Sequence, residues 1–169
     1  MPSNKQHIYD EIAGSRGSVR GPFSVLLHSP EVARRVAHLG SYIRFESTLS
    51  SAEQELAIIT TAREFDCDYE WAAHTILARQ AEVSEEAIET VANRGPLDSL
   101  TEDEAMIILY SRELLRQHRV SDKTFRAAKA RFGEQGITDL TATIGYYGML
   151  ACVLNTFELD LAPNSPRLA

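Results

Sequence analysis

The stretch SSAEQELAIITTAREFDCDYEWAAHTILARQAEVSEEAIETV, residues 50–91, decides the fold class. It opens on Ser50-Ser-Ala-Glu53. A serine followed three residues later by a glutamate can satisfy two orphan N–H groups reciprocally, so this capping box predicts a helix running to about Phe65. A second helix is expected over 66–81. Ser84-Glu-Glu caps a third, which stops at Asn93-Arg-Gly-Pro96. Valine, isoleucine and threonine recur here at helical spacing, and no run alternates as a half-buried strand does.

The same signals continue in both directions. A short first helix is expected over 3–13, followed by the glycine-rich loop GSRGSVRGP (14–22). Pro30 opens a helix whose apolar stripe reads Val32, Val36, Leu39, Ile43. Thr101-Glu-Asp-Glu104 is another capping box, heading a helix to about His118. Ser121-Asp heads one ending at Phe132-Gly133, and a last long helix runs from about Thr138 to Glu158 with Leu140, Ile144, Tyr147, Leu150 and Leu154 on its apolar face. The chain therefore reads as an all-α bundle of about seven or eight helices. It forms one domain over 1–169, with 1–29 an N-terminal extension packing on it and 163–169 a flexible tail.

Composition narrows the partners. Twenty-four acidic against 17 basic residues give a net charge of −7, which opposes binding to a phosphate backbone. Two cysteines, Cys67 and Cys152, are too few for a disulfide framework. The N-terminus lacks the apolar run of a secretory signal, and the longest apolar stretch, near Ile144–Leu154, is too short to span a membrane. A cytoplasmic protein is the simplest expectation. Trp71, Tyr69, Tyr146, Tyr147 and the segment Phe23-Ser-Val-Leu-Leu supply more apolar surface than one small bundle readily hides, which points to self-association.

The chemistry-bearing residues cluster between Glu55 and His74. Cys67, Glu70 and His74 are spaced i, i+3, i+7, which on a continuous helix spans only about 60° of arc. A thiol, a carboxylate and an imidazole would then share one face. Glu70 lies one turn before His74, where a carboxylate favours the imidazolium and raises its pKa. Cys67 lies near a helix N-terminus, which favours thiolate, while the acidic neighbours Asp66, Asp68 and Glu70 oppose it. A lone helical cysteine is more often a small buried hydrophobe, and a helical Glu–His pair is more often structural. No second ligand pair for a metal is evident, and no cofactor is expected.

These residues resemble the carboxymuconolactone decarboxylase family, which includes AhpD-like alkylhydroperoxidases. The resemblance runs through residues 50–91 and more loosely to IGYYGMLACVLNTFELDLAP, with RGPFSVLLHSPEVARRV typical of longer members. It implies an all-helical AhpD-like fold, assembly as a homotrimer or homohexamer, and a site near a subunit interface. In AhpD-like members a glutamate precedes, by twelve residues, a Cys-x-x-Cys-x-x-x-His motif. The matching positions are Glu55, Cys67 and His74, and Glu70 stands where the second cysteine would be. A two-cysteine peroxidase cycle lacks its resolving thiol here.

The resemblance therefore points to the decarboxylase-like branch. The expected function is a small-molecule lyase, a decarboxylase of a carboxylated lactone or related aromatic-catabolism intermediate. The candidate catalytic residues are Glu55, Cys67, Glu70 and His74, with His74 as proton donor. Arg20, Phe23, Leu27, His28, Arg44 and Tyr147 are the candidate substrate-binding residues. The alternatives are a thiol peroxidase using Cys67 as its single reactive cysteine, and a non-catalytic oligomeric binding module.

Overall fold

The computed structural model describes residues 6–16, 19–162 and 165–168. Among them the chain is all-helical, with eight helices and no strand: α1 (Gln6–Arg16), α2 (Pro22–Leu26), α3 (Pro30–Phe45), α4 (Ser51–Glu64), α5 (Asp68–Gln80), α6 (Glu85–Ala92), α7 (Glu102–Gln117) and α8 (Asp122–Thr156).

Helix α4 is the axis of the bundle. Every residue from Gln54 to Arg63 is buried, because α5, α6, α7 and α8 all pack against it. The expected capping box starts it: Glu53 N–H donates to Ser50 Oγ at 3.3 Å, and Ser50 N–H donates to Glu53 Oε2 at 2.7 Å. A helix buried all round must silence its polar side chains. Thr60 and Thr61 do so by donating to the carbonyls of Leu56 and Ala57. The second capping box, Thr101 with Glu104, starts α7 in the same way.

Several boundaries differ from the sequence expectation. Of the helix expected over 3–13, residues 3–5 lie outside the described residues and the rest extends to Arg16, while the apolar PFSVL segment, for which the sequence predicts no helix, forms α2. Phe23, Val25 and Leu26 are buried there, Phe23 and Leu26 in a cluster with Ile8, Ile12 and Tyr147. Gly21 makes this turn possible. Its φ is +58°, and a Cβ in its place would sit 3.1 Å from the Tyr69 ring. The two helices expected on either side of Gly133 are the arms of one element, α8, broken at Gly133 (φ 70°, ψ −177°).

Helix α3 is rotated relative to its expected stripe. Val36 and Ile43 are buried, but Val32 and Leu39 are 46% and 47% exposed. The covered face is completed by Ala33, Ala37 and Gly40, whose small side chains allow close packing. Helix α8 is long and apolar enough to cross a membrane, contrary to the reading of that stretch as too short. However, 61% of its apolar window is buried within the domain, as in the core helix of a soluble protein. Of the tail expected to be flexible, 163, 164 and 169 lie outside the described residues. Leu168 packs on the core, and its N–H donates to Asp68 Oδ1 at 2.8 Å.

Candidate active site

Helices α4 and α5 form an antiparallel pair, joined by a tight turn in which Asp66 adopts φ +46°. This pairing brings Glu55, in the first half of α4, against His74 in the middle of α5. His74 Nδ1 lies 2.6 Å from Glu55 Oε2, and His74 Nε2 lies 3.2 Å from Glu70 Oε2. All three side chains are nearly inaccessible, at 5–8% exposure.

Burial by itself would push the His74 pKa down. The hydrogen bonds to Glu55 and Glu70, together with their negative charges, outweigh it and raise the value to about 9. His74 is therefore an imidazolium at neutral pH and donates to both carboxylates. Neither ring nitrogen is left to meet a ligand directly.

The array extends to Tyr147 and Arg44. The Tyr147 ring meets His74 edge-on at 5.0 Å, and Arg44 Nη1 donates to the Tyr147 hydroxyl at 3.1 Å. The same nitrogen lies 3.5 Å from Glu55 Oε1. Burial works against the Arg44 charge, but Tyr147, Glu55 and Glu70 offset it and raise the pKa. Burial raises the pKa of Tyr147, with Arg44 opposing, so the phenol keeps its proton. Because its oxygen accepts from Arg44, that proton is available for donation. One polar atom of the array has no partner: Glu70 Oε1 is buried and makes no hydrogen bond.

A cavity of about 470 Å³ opens beside this array. Its wall includes Arg20, Phe23, Arg44, Glu70, His74, Tyr146 and Tyr147. Arg20 is exposed at the rim, with no hydrogen bond or ion pair to another described residue. A smaller cleft, of about 280 Å³, lies near Ser50 and Glu82. It is spanned by ion pairs from Arg131 to Glu53 and Asp103 and holds no comparable array.

The candidate residues thus divide. The structure brings together Glu55, Glu70, His74, Arg44 and Tyr147, with Phe23 and Arg20 on the cavity wall. It does not place Cys67 there. Cys67 is the N-cap of α5, with φ −95° and ψ 91°, so the helical spacing that aligned it with Glu70 and His74 does not extend to it. Its side chain is 0% exposed and packs with Ala151 and Leu154. Burial pushes the thiol up to about 11, with the charges of Glu70 and Asp68 adding and the backbone N–H groups of Glu70 and Tyr69 opposing. His28 stands outside the cavity, stacked on Phe157 at 6.1 Å. Leu27 is half-buried against the α1–α3 cluster. Sequence reasoning missed Pro22, Tyr69, Ala73, Leu77, Tyr146 and Leu150 as lining residues. Tyr146 alone carried a signal, as the aromatic neighbour of Tyr147.

The family model described as the carboxymuconolactone decarboxylase family matches residues 30–107. Among solved structures, the chain is similar to an uncharacterized peroxidase-related protein from Silicibacter sp. TM1040. The identity is 16% over 97% of this chain and 87% of that one, with a TM-score of 0.73. It is also similar to the alkylhydroperoxidase AhpD core of an uncharacterized peroxidase-related protein from Ralstonia eutropha JMP134. There the identity is 20% over 92% and 84%, with a TM-score of 0.74. At these identities the likeness establishes the fold. No curated protein matches the chain.

Proposed function

We propose that this chain, whose residues 30–107 match the carboxymuconolactone decarboxylase family model, is a small-molecule carboxy-lyase that works by acid–base chemistry at the Glu55–His74–Glu70 array. One observation carries the reading: the cavity is walled by the carboxylate of Glu70, the imidazolium of His74, the phenol of Tyr147 and the guanidinium groups of Arg20 and Arg44, while the motif cysteine is buried elsewhere.

Decarboxylation breaks a C–CO₂⁻ bond and pushes its electron pair into a conjugated carbonyl. Tyr147 O–H, with its oxygen engaged by Arg44, donates to the developing oxyanion. The Glu70 carboxylate takes up a proton from water and passes it to carbon, ending as the carboxylate it began as. His74 keeps Glu70 in place through Oε2 and stabilises the carboxylate left behind. Glu55 in turn orients His74. His74 is thereby a positioning residue in this scheme, and the sequence expectation of it as direct donor passes to Glu70. Arg20, at the rim, meets an anionic group of the substrate. A carboxylated lactone fits these demands.

The thiol peroxidase alternative needs an accessible thiolate. Cys67 offers neither access nor a lowered pKa, and Glu70 occupies the place of a second motif cysteine. Assays of CO₂ release from carboxylated lactones and of peroxide consumption, run on wild type, H74Q and C67S, test the proposal. Lactone decarboxylation that falls about 10²–10⁴-fold in H74Q, with a displaced pH profile, and persists in C67S supports it. Peroxide turnover abolished by C67S, with no CO₂ release, would replace it with the thiol reading.

A further inference from the structure

Round α5 the side chains come in a fixed order. At 3.6 residues per turn, Ala72, Ile76, Tyr69, Ala73 and Leu77 fall within about 140° of arc, with Glu70 and His74 beyond them. The last three line the cavity of the array, and Ala72 and Ile76 line a second space, of about 360 Å³. Tyr69 and Ala73 line both and so form the ridge between them. Tyr69 is half-buried, but Ala73 is exposed and presents only a methyl group. The two spaces therefore meet over Ala73.

The second space is an apolar groove. Its floor is α5, where Ile76 is 51% exposed. Its far wall is the segment after α8, through Leu161 and Pro166. That segment is tied down beyond the groove, where Leu168 packs on the core and its N–H donates to Asp68. Among the described residues, no charged side chain lines the groove. The adjoining cavity is the reverse. Arg20 is exposed at its rim, and Arg44 spends only Nη1, on Tyr147 and Glu55. Nε and Nη2 of Arg44 make no hydrogen bond to a described residue and are open to solvent.

We propose that the site binds carboxylates that carry a long apolar chain, with the carboxylate at Arg44 and Arg20 and the chain running over Ala73 into the groove of Ile76, Leu161 and Pro166. Charge complementarity fixes one end of such a ligand and apolar burial the other. A short carboxylate leaves the groove to water, and a neutral chain leaves the open guanidinium donors unmatched. Binding of this kind asks for no proton transfer by the array, so it stands apart from the lyase reading.

Butyrate, decanoate and decanol are suitable probes, titrated calorimetrically into the native protein below their micelle or solubility limits. Each methylene that the groove covers is expected to tighten binding about 3–4-fold, so decanoate should bind roughly 30-fold or more tighter than butyrate. Decanol should bind about 10-fold or more weaker than decanoate, and Arg20→Met should weaken decanoate toward decanol. Ala73→Phe raises the ridge, and Ile76→Glu sets a carboxylate in the groove. Each is expected to remove most of the gain of decanoate over butyrate. Circular dichroism establishes that the variants are folded, and if Ala73→Phe does not fold, Ile76→Glu carries the comparison. No binding of decanoate, equal affinity for butyrate and decanoate, decanol as tight as decanoate, or a gain that survives in the folded groove variants overturns the proposal. So does an Ile76→Glu that dissociates an oligomer in light scattering while the gain survives, which assigns the groove to a second copy of the chain. The two readings fail separately: CO₂ release from carboxylated lactones without the chain-length gain removes this proposal alone, and the gain without CO₂ release removes the lyase alone.

Discussion

At the scale of the residue, His74 sets the behaviour of the site. Two carboxylates and two cations, Glu55, Glu70, His74 and Arg44, form a nearly balanced buried cluster. Because the folded-state pKa of His74 is raised to about 9 from 6.5, the native state holds that proton more tightly than the unfolded chain. The resulting stabilisation is complete below about pH 6.5 and is lost as pH rises through about 9. Stability measured by urea denaturation is expected to decline across that window in wild type and to decline less in His74→Gln. An identical slope in both would contradict the cluster's electrostatics. Cys67 gives an independent test. Native protein treated with iodoacetamide near neutral pH is expected to be modified at the exposed Cys152, and at Cys67 only after denaturation. Peptide mass spectrometry showing Cys67 modified as fast as Cys152 would overturn its placement. The sequence made Glu55, Glu70 and His74 legible, because helix spacing and the family resemblance both single them out. It misplaced Cys67, because one residue outside the helix start no longer obeys the helix period, and no local signal distinguishes residue 67 from residue 68 as the first helical position.

At the scale of the element, the caps were the most readable feature and tertiary packing the least. Ser50, Ser84, Thr101 and Ser121 each accept an N–H three residues on, a purely local interaction. The exposure of Val32 and Leu39 could not be read that way, because the buried face of α3 is chosen by its neighbours. Two elements carry predictions. Gly133 breaks α8 at a φ/ψ combination that is essentially glycine-only, with open space around it. Gly133→Ala is therefore expected to cost about 1–3 kcal/mol through the backbone alone, seen as a lowered Tm. An unchanged Tm would show that the break is not required. Asp139 ties the turn after α3 to α8. Its carboxylate accepts from Thr48 N–H at 2.9 Å, Thr48 Oγ1 at 2.8 Å and Tyr42 O–H at 3.1 Å. Asp139→Ala leaves these donors unmatched and is expected to cost about 2–3 kcal/mol in chemical denaturation, with a loss under 0.5 kcal/mol arguing against the tie.

At the scale of the whole molecule, most of the residues expected to drive self-association are already covered within one chain, Tyr69 and Leu27 remaining half-buried. Trp71, Tyr146 and Tyr147 are at most 5% exposed, and Phe23 is 4% exposed. The large apolar side chains left exposed among the described residues are others: Val32, Leu39 and Phe45 on α3 and Ile76 on α5, besides Tyr9, Leu109, Phe125 and Phe157. Self-association is still the expected state, now through this surface. Light scattering is expected to show an oligomer that Leu39→Glu weakens. A monomer at micromolar concentration would contradict it. The all-helical architecture was legible because every level agreed on it: caps, period and short loops. The surface that would meet a partner was not, because sequence alone does not say which apolar residues the chain itself has covered.

The central claim is that His74 is a buried cation shared by Glu55 and Glu70. The most direct measurement is a pH titration of its ring nitrogens by long-range proton–nitrogen NMR, assigned with His74→Gln. Both nitrogens are expected to show imidazolium shifts at neutral pH and to titrate near pH 9. A neutral ring at neutral pH, titrating near its ordinary 6.5, would contradict the account.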